Sequence, residues 1–156
     1  MKKKIFTFLL FLFLSSCGYE AIYSLKNRVD YNFSISELNL IGDRQINSKI
    51  KQRLNTYTNP NIKAEKSFLL KITSSSERII TAKDASGDAT KFENKVTVSV
   101  QVFLNGEYKS NFLIRENFIY NNNSNTFELR AYENQIKNNL ADTAVGKITF
   151  ELANII

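Results

Sequence analysis

The 156-residue chain predicts an α+β domain, a two-layer sandwich with two helices on one face of a four-stranded mixed sheet, in the order β-α-β-β-β-α. Three observations carry this expectation. Residues 96–104 place Val96, Val98, Val100, Val102 and Leu104 on one parity, the pattern of a half-buried strand. Residues 127–155 space Leu129, Tyr132, Ile136, Leu140, Ala144, Ile148, Leu152 and Ile155 by three or four, the stripe of a long amphipathic helix. A shorter helical pattern separates the first strand from the other three. That strand therefore joins the sheet through a helical crossover and should lie parallel to a neighbour. Each element has one apolar face, and helices layered on a sheet bury all of those faces together.

In chain order, Tyr31, Phe33 and Ile35 alternate with polar residues, and Leu38 and Leu40 continue on the opposite parity. This is a strand with a bulge near Glu37. Gly42-Asp43 opens a helix with Asp43 as N-cap; Ile46, Ile50, Leu54 and Tyr57 form its apolar stripe, and Asn59-Pro60 ends it. Phe68, Leu70 and Ile72 start a second strand that continues through Ser74, Ser75 and Ser76 to Ile79 and Ile80. The polar stretch 83–91 reads as a loop around Ala85-Ser86-Gly87-Asp88. Asn105-Gly106, directly after the clearest strand, suits a type I′ turn, in which both residues need positive φ. Phe112, Ile114, Phe118 and Tyr120 carry the returning strand, so the last three strands form an antiparallel meander. Residues 121–125 are an Asn-rich loop, and Asn125 with Glu128 suits a capping box. The final helix would span about 43 Å at 1.5 Å per residue. Glu133 and Lys137 are spaced as an outward i,i+4 ion pair, and Gly146 either weakens the helix or permits a close contact.

The N-terminus reads as an address. Lys2, Lys3 and Lys4 precede ten residues, 5–14, in which Thr7 alone is not apolar, and then Ser15-Ser16-Cys17-Gly18. This is the layout of a secretory signal, and it is shorter than the roughly 20 apolar residues that span a bilayer. Leu14-Ser15-Ser16-Cys17 matches the bacterial lipobox. The match implies removal of residues 1–16 and acylation of Cys17 on its sulfur and its new amino group, with palmitate among the acyl chains. More than one chain, at about 0.8 kcal/mol per buried methylene, anchors stably. No Asp follows Cys17, so the outer membrane is the default destination. Residues 17–30 then read as a lipidated tether and residues 31–156 as a single domain.

Composition narrows the function. The chain has no His and a single Cys, which removes Ser-His and Cys-His nucleophile pairs, most zinc sites and an internal disulfide. The formal charge of +6 includes three lysines of the signal; without residues 1–16 it falls to +3, too little for a nucleic-acid surface. Glu116, Glu128 and Glu133 show no convincing carboxylate pairing, and no phosphate loop or metal cluster is present in the sequence. A non-enzyme without a cofactor is expected. The aromatic residues are expected largely to fill the core stripes.

Three stretches resemble the LPS-assembly lipoprotein LptE family. They are Ser16-Cys17-Gly18-Tyr19 with Ile22-Tyr23, then Ala89-Thr90-Lys91-Phe92 leading into residues 96–104 and the Asn105-Gly106 turn, and the C-terminal helix entered through Phe127. Glu20-Ala21 departs from that family's opening, and the final helix has fewer Ala. The resemblance implies two helices on a four-stranded sheet. It also implies a plug inside the LptD outer-membrane barrel that assists barrel assembly and contacts lipopolysaccharide.

Such a contact would need Lys or Arg beside apolar surface. On strand parity Lys71 and Arg115 lie opposite the core-facing side chains and would project from the free sheet face; a solubilising surface charge is the plainer reading of each. Lys83, Lys91 and Lys95 are balanced by Asp84, Asp88 and Glu93. Arg44, Lys49, Lys51 and Arg53 read mainly as a solvated helix face. Two rival functions remain beside the barrel plug: another envelope interaction lipoprotein (an ABC-transport auxiliary or a barrel-assembly accessory) and a lipid-anchored hydrolase, which the absence of His disfavours.

Overall fold

The computed structural model describes residues 33–58 and 64–155; Cys17, the signal and the tether lie outside them. The elements are β1 (Phe33–Gly42), α1 (Arg44–Leu54) with a 3₁₀ turn Asn55–Tyr57, β2 (Lys66–Lys83), β3 (Ala89–Leu104), β4 (Glu107–Asn121) and α2 (Thr126–Asn154). The sheet order is β1-β2-β3-β4. β1 lies parallel to β2, and β2–β3 and β3–β4 are antiparallel. This is the expected α+β sandwich, with both helices on one face.

Local sequence sets the junctions. The register of β1 against β2 slips between Ile35 and Glu37, which turns Phe33 and Ile35, then Leu38 and Leu40, toward one core. Gly42 closes the strand at φ +107°, and a Cβ there would stand 1.9 Å from the Ser74 carbonyl oxygen. Only glycine allows both that backbone conformation and that approach. Asp43 caps α1, its Oδ1 accepting from the amides of Gln45 and Ile46 at 2.9 and 3.1 Å. Asn105 and Gly106 adopt φ 53° and 83°, the two positive values a type I′ turn needs.

One face of the sheet is the core. Phe68, Leu70 and Ile72 of β2 and Val96, Val98, Val100 and Val102 of β3 are buried against Ile46, Ile50 and Leu54 of α1 and Ala144, Ile148 and Leu152 of α2. Each fully buried aliphatic side chain contributes about 2 kcal/mol of transfer free energy. Phe33 stacks on Tyr57 with ring centroids 5.0 Å apart, tying β1 to the end of α1.

Four expectations are corrected. β2 and β3 run to Lys83 and from Ala89, so the loop between them shrinks to a tight turn; Asp84 Oδ1 holds it by accepting from the amides of Ser86 and Asp88, both at 2.9 Å. Glu133 and Lys137 do not pair with each other; Glu133 meets Arg78, and Lys137 meets Asp43, because the sheet and α1 offer partners across the layer. Nothing lies within 4 Å of a Cβ built at Gly146, so it marks an open notch and not a close contact. The aromatic residues are not all core: Phe127 is 81% exposed and Phe150 62%, and Phe118, Tyr108 and Tyr132 are exposed too.

Candidate functional site

The sheet face away from the helices is free of any other described element. Lys71 and Arg115 both project from it as strand parity requires, and both are exposed. Lys71 stands opposite Gln101, with its ammonium 5.0 Å from the centre of the Phe103 ring. Phe103 in turn meets Tyr108 edge-on at 5.9 Å. Arg115 stands opposite Thr97. Gln101 and Thr97 are four residues apart on β3, about 13 Å, and β2 and β4 are two strand spacings apart, about 9.6 Å. The two cations therefore do not converge on one anionic group. Between them lie Thr73, Ser75, Thr97 and Ser99, which cross-pair as Thr73–Ser99 and Ser75–Thr97 and make the middle of this face flat and hydroxyl-lined.

The opposite, helix-side face changes character along its length. Up to Ser74 it is hydrocarbon. Beyond it, β2 and β3 continue past the start of α1, and polar side chains there stand beside the buried rings of Phe92 and Tyr120. Asp43 is the junction: its Oδ2 accepts from the Ser76 hydroxyl at 2.6 Å and from Lys137 Nζ at 3.3 Å. Burial pushes its carboxyl upward, but the Ser76 hydroxyl, the Ile46 amide and the Lys137 ammonium outweigh that and hold its pKa below the ordinary value. The buried Ser74 hydroxyl donates to Asn47 Oδ1 at 2.7 Å.

Further out, Arg78 lies over the Phe92 ring at 3.7 Å and pairs with Glu133 Oε1 at 2.9 Å. The Tyr120 hydroxyl donates to the same oxygen at 2.6 Å. Burial first, then the hydrogen bond to Glu133, pushes the Tyr120 phenol up to about 12. The Asn94 amide donates to the Glu133 carbonyl oxygen at 3.4 Å. The sequence singles out Glu133 alone, and with another partner, from this cluster. Its only advance signal is parity, since Arg78, Phe92, Asn94 and Tyr120 all carry even positions that face the helices.

The basic residues of α1 are not all solvated. Arg53 Nε and Lys49 Nζ pair with the two oxygens of Asp142 at 2.7 and 3.3 Å. The Arg53 hydrogen bond leads in lowering the Asp142 pKa. Arg44 and Lys51 stay exposed. Among the described residues no group of three or more His, Cys, Asp or Glu is placed to hold a metal, and no helix is long and apolar enough to cross a membrane.

No family model matches the sequence, and no curated protein matches it. Solved structures do share the fold. The rare lipoprotein B of Shewanella oneidensis is 18% identical, with a TM-score of 0.56 over 76% of this chain and 97% of that one. The uncharacterized lipoprotein B of Nitrosomonas europaea is 18% identical, with a TM-score of 0.54 over 81% and 88%. A minor lipoprotein of Acinetobacter baumannii is 12% identical, with a TM-score of 0.55 over 76% and 90%. At these identities the likeness shows the fold: the two-layer domain is built as in these lipoproteins.

Proposed function

We propose that the chain is an outer-membrane lipoprotein of lipopolysaccharide transport that plugs an LptD-like β-barrel, assists its assembly and contacts lipopolysaccharide on its periplasmic side. The observation that carries this reading is a whole-domain fold shared with lipoprotein B structures, lipoprotein B being a name of the LptE family, in a chain whose only Cys ends a lipobox. The work is binding, not catalysis. Lys71 and Arg115 are the cations proposed to meet lipid phosphates. Their separation favours two separate contacts over one shared phosphate, and Phe103 and Tyr108 supply apolar surface beside Lys71.

The anchor is tested by Cys17→Ala, which should abolish incorporation of an alkyne fatty acid; equal labelling of the variant excludes acylation at Cys17. The partner is tested in cells with photo-crosslinkers at Ser86, Asn123 and Arg115, which should capture an outer-membrane barrel. Depletion should lower the amount of folded barrel and admit bulky hydrophobic antibiotics. Crosslinks confined to peptidoglycan or to an inner-membrane transporter, with an intact permeability barrier, would point instead to the transport-auxiliary role.

A further inference from the structure

β4 ends the sheet on one side, and among the described residues no strand pairs with its outer edge. It is 15 residues long and has no Pro. A strand of this kind presents a row of unpaired amides and carbonyls that a further strand can join. Alongside it runs α2, and the seam between them holds three clefts. The first, about 610 Å³, lies at the Gly146 notch between Phe112–Arg115 and Phe150. The second, about 90 Å³, lies between Phe118 and Ile136. The third, about 810 Å³, lies between Tyr120 and Leu129. Of the nine large hydrophobic residues exposed on the described surface, five (Leu113, Phe118, Ile119, Tyr132 and Phe150) line these clefts.

We infer that the seam between β4 and α2 is a docking groove for an extended segment of a partner polypeptide, which adds to the sheet as a fifth strand. The side-chain repeat of a strand is about 6.7 Å per two residues, and the clefts follow it. Along β4 the first cleft centres near Ile114, the second at Phe118 and the third at Tyr120. These are steps of four and two residues on the helix-side parity. A docked strand would therefore place apolar side chains at positions 1 and 5 and, at position 7, one long enough to reach Tyr120, Leu129 and Tyr132 past the polar rim of Asn121, Asn122 and Glu128. Position 3 falls beside Glu116, whose Oε1 is buried and meets Lys147 Nζ at 2.5 Å. The Glu116 carboxylate has no other partner among the described residues, so position 3 should carry a hydroxyl that donates to it. On the other face, position 2 lies beside exposed Arg115 and should be acidic. Backbone pairing would supply affinity, and these alternate positions would supply selectivity. A groove that needs backbone donors and acceptors, one hydroxyl and one acid specifies a peptide more closely than an acyl chain, which would use only the apolar clefts.

The direction of the added strand is read by two synthetic peptides. Leu-Asp-Ser-Thr-Leu-Thr-Leu matches a strand parallel to β4, and its reverse, Leu-Thr-Leu-Thr-Ser-Asp-Leu, an antiparallel one. Added to the full chain in mild detergent, one of them should shift the β4 amide resonances and slow their exchange with solvent. Gly146→Leu fills the notch, which has room for a Cβ, and improves helix propensity; with an unchanged circular-dichroism spectrum it should weaken that peptide at least about tenfold. Arg115→Glu should weaken it as well, and replacing the peptide's Asp by Lys should recover binding to that variant. The inference is overturned if neither peptide moves the β4 amides, or if binding ignores both substitutions. It is also overturned if the β4 shifts depend on protein concentration without peptide, which gives the edge to a second copy of this chain. This result is separate from the barrel reading, because the peptides bind or fail whatever barrel the protein occupies.

Discussion

Two halves of the sandwich lie side by side and are held together differently. In one half, β1, residues 66–74 of β2, residues 96–104 of β3 and the facing stripes of α1 and α2 meet mainly through hydrocarbon, with the Ser74–Asn47 hydrogen bond and the Arg53 and Lys49 pairs to Asp142 at its margin. In the other half, residues 76–95 and 117–121 extend past the start of α1 and meet the first part of α2. There the contacts are Asp43 with Ser76 and Lys137, Arg78 and Tyr120 with Glu133, and Asn94 with the Glu133 carbonyl. Hydrocarbon burial is non-directional and large in total, so the first half sets the fold. Hydrogen-bonded pairs are directional and net about 1 kcal/mol each, so those of the second half, set around the buried rings of Phe92 and Tyr120, fix the position of the hairpin and the Asn-rich loop while adding little stability of their own. The loops proposed to meet the barrel, at Ser86 and Asn123, belong to this second half.

The largest effect is expected where the difference is tested most directly. Val100→Asp puts an unpaired charge among the fully buried valines of β3 and should cost about 4 kcal/mol or more. Gln101→Asp, on the free face one residue away, should stay within about 0.5 kcal/mol. Equal thermal midpoints would show that β3 does not separate a dry face from a wet one. A substitution at the junction comes next. The depressed Asp43 pKa means that its contribution is fully present above about pH 4, its ordinary unfolded value, and is lost as pH falls through the lower folded value. Asp43→Ala removes the helix cap as well and should cost about 1–2 kcal/mol at neutral pH. Asp43→Asn, which keeps an acceptor for the cap, should mainly flatten the loss of stability below pH 4. An acid limb unchanged in Asp43→Asn would assign acid sensitivity to other carboxylates, Asp142 first among them.

How much of this was legible in the sequence differs between the halves for the same physical reason. Alternation and helical spacing report burial, so the strand from Val96, the bulge at Glu37, the parallel first strand and the outward positions of Lys71 and Arg115 could all be read in advance. Cross-layer ion pairs leave no periodic trace. Glu133 and Lys137 fit the local i,i+4 rule, yet α2 lies where Arg78 and Asp43 are better placed, and tertiary geometry overrides a local preference of a few tenths of a kcal/mol. The exposed aromatics differ in the same way: Tyr132 fits the helical stripe and Phe150 falls outside it, and both are exposed because α2 is apolar on more of its circumference than the sheet can cover. The seam against β4 is where that surplus lies.

The smallest expected effect sharpens the comparison most. Tyr120→Phe removes one hydroxyl and leaves the ring against Phe92, 5.8 Å away. Glu133 keeps Arg78, so the global cost should be about 1 kcal/mol. The location of the change matters more than its size. If the polar half is held by its hydrogen bonds, amide exchange should quicken in residues 89–95 and 117–121 and stay unchanged around Val98 and Val100. The phenol supplies a second reading. Its pKa is raised from about 10 in the unfolded chain to about 12 in the fold, so its contribution is present below pH 10 and is lost as pH climbs toward 12. The parent protein should therefore lose stability over that interval more steeply than Tyr120→Phe. Uniform quickening across both halves, with identical alkaline limbs, would mean that the two halves unfold as one unit and that Tyr120 is only a piece of the core.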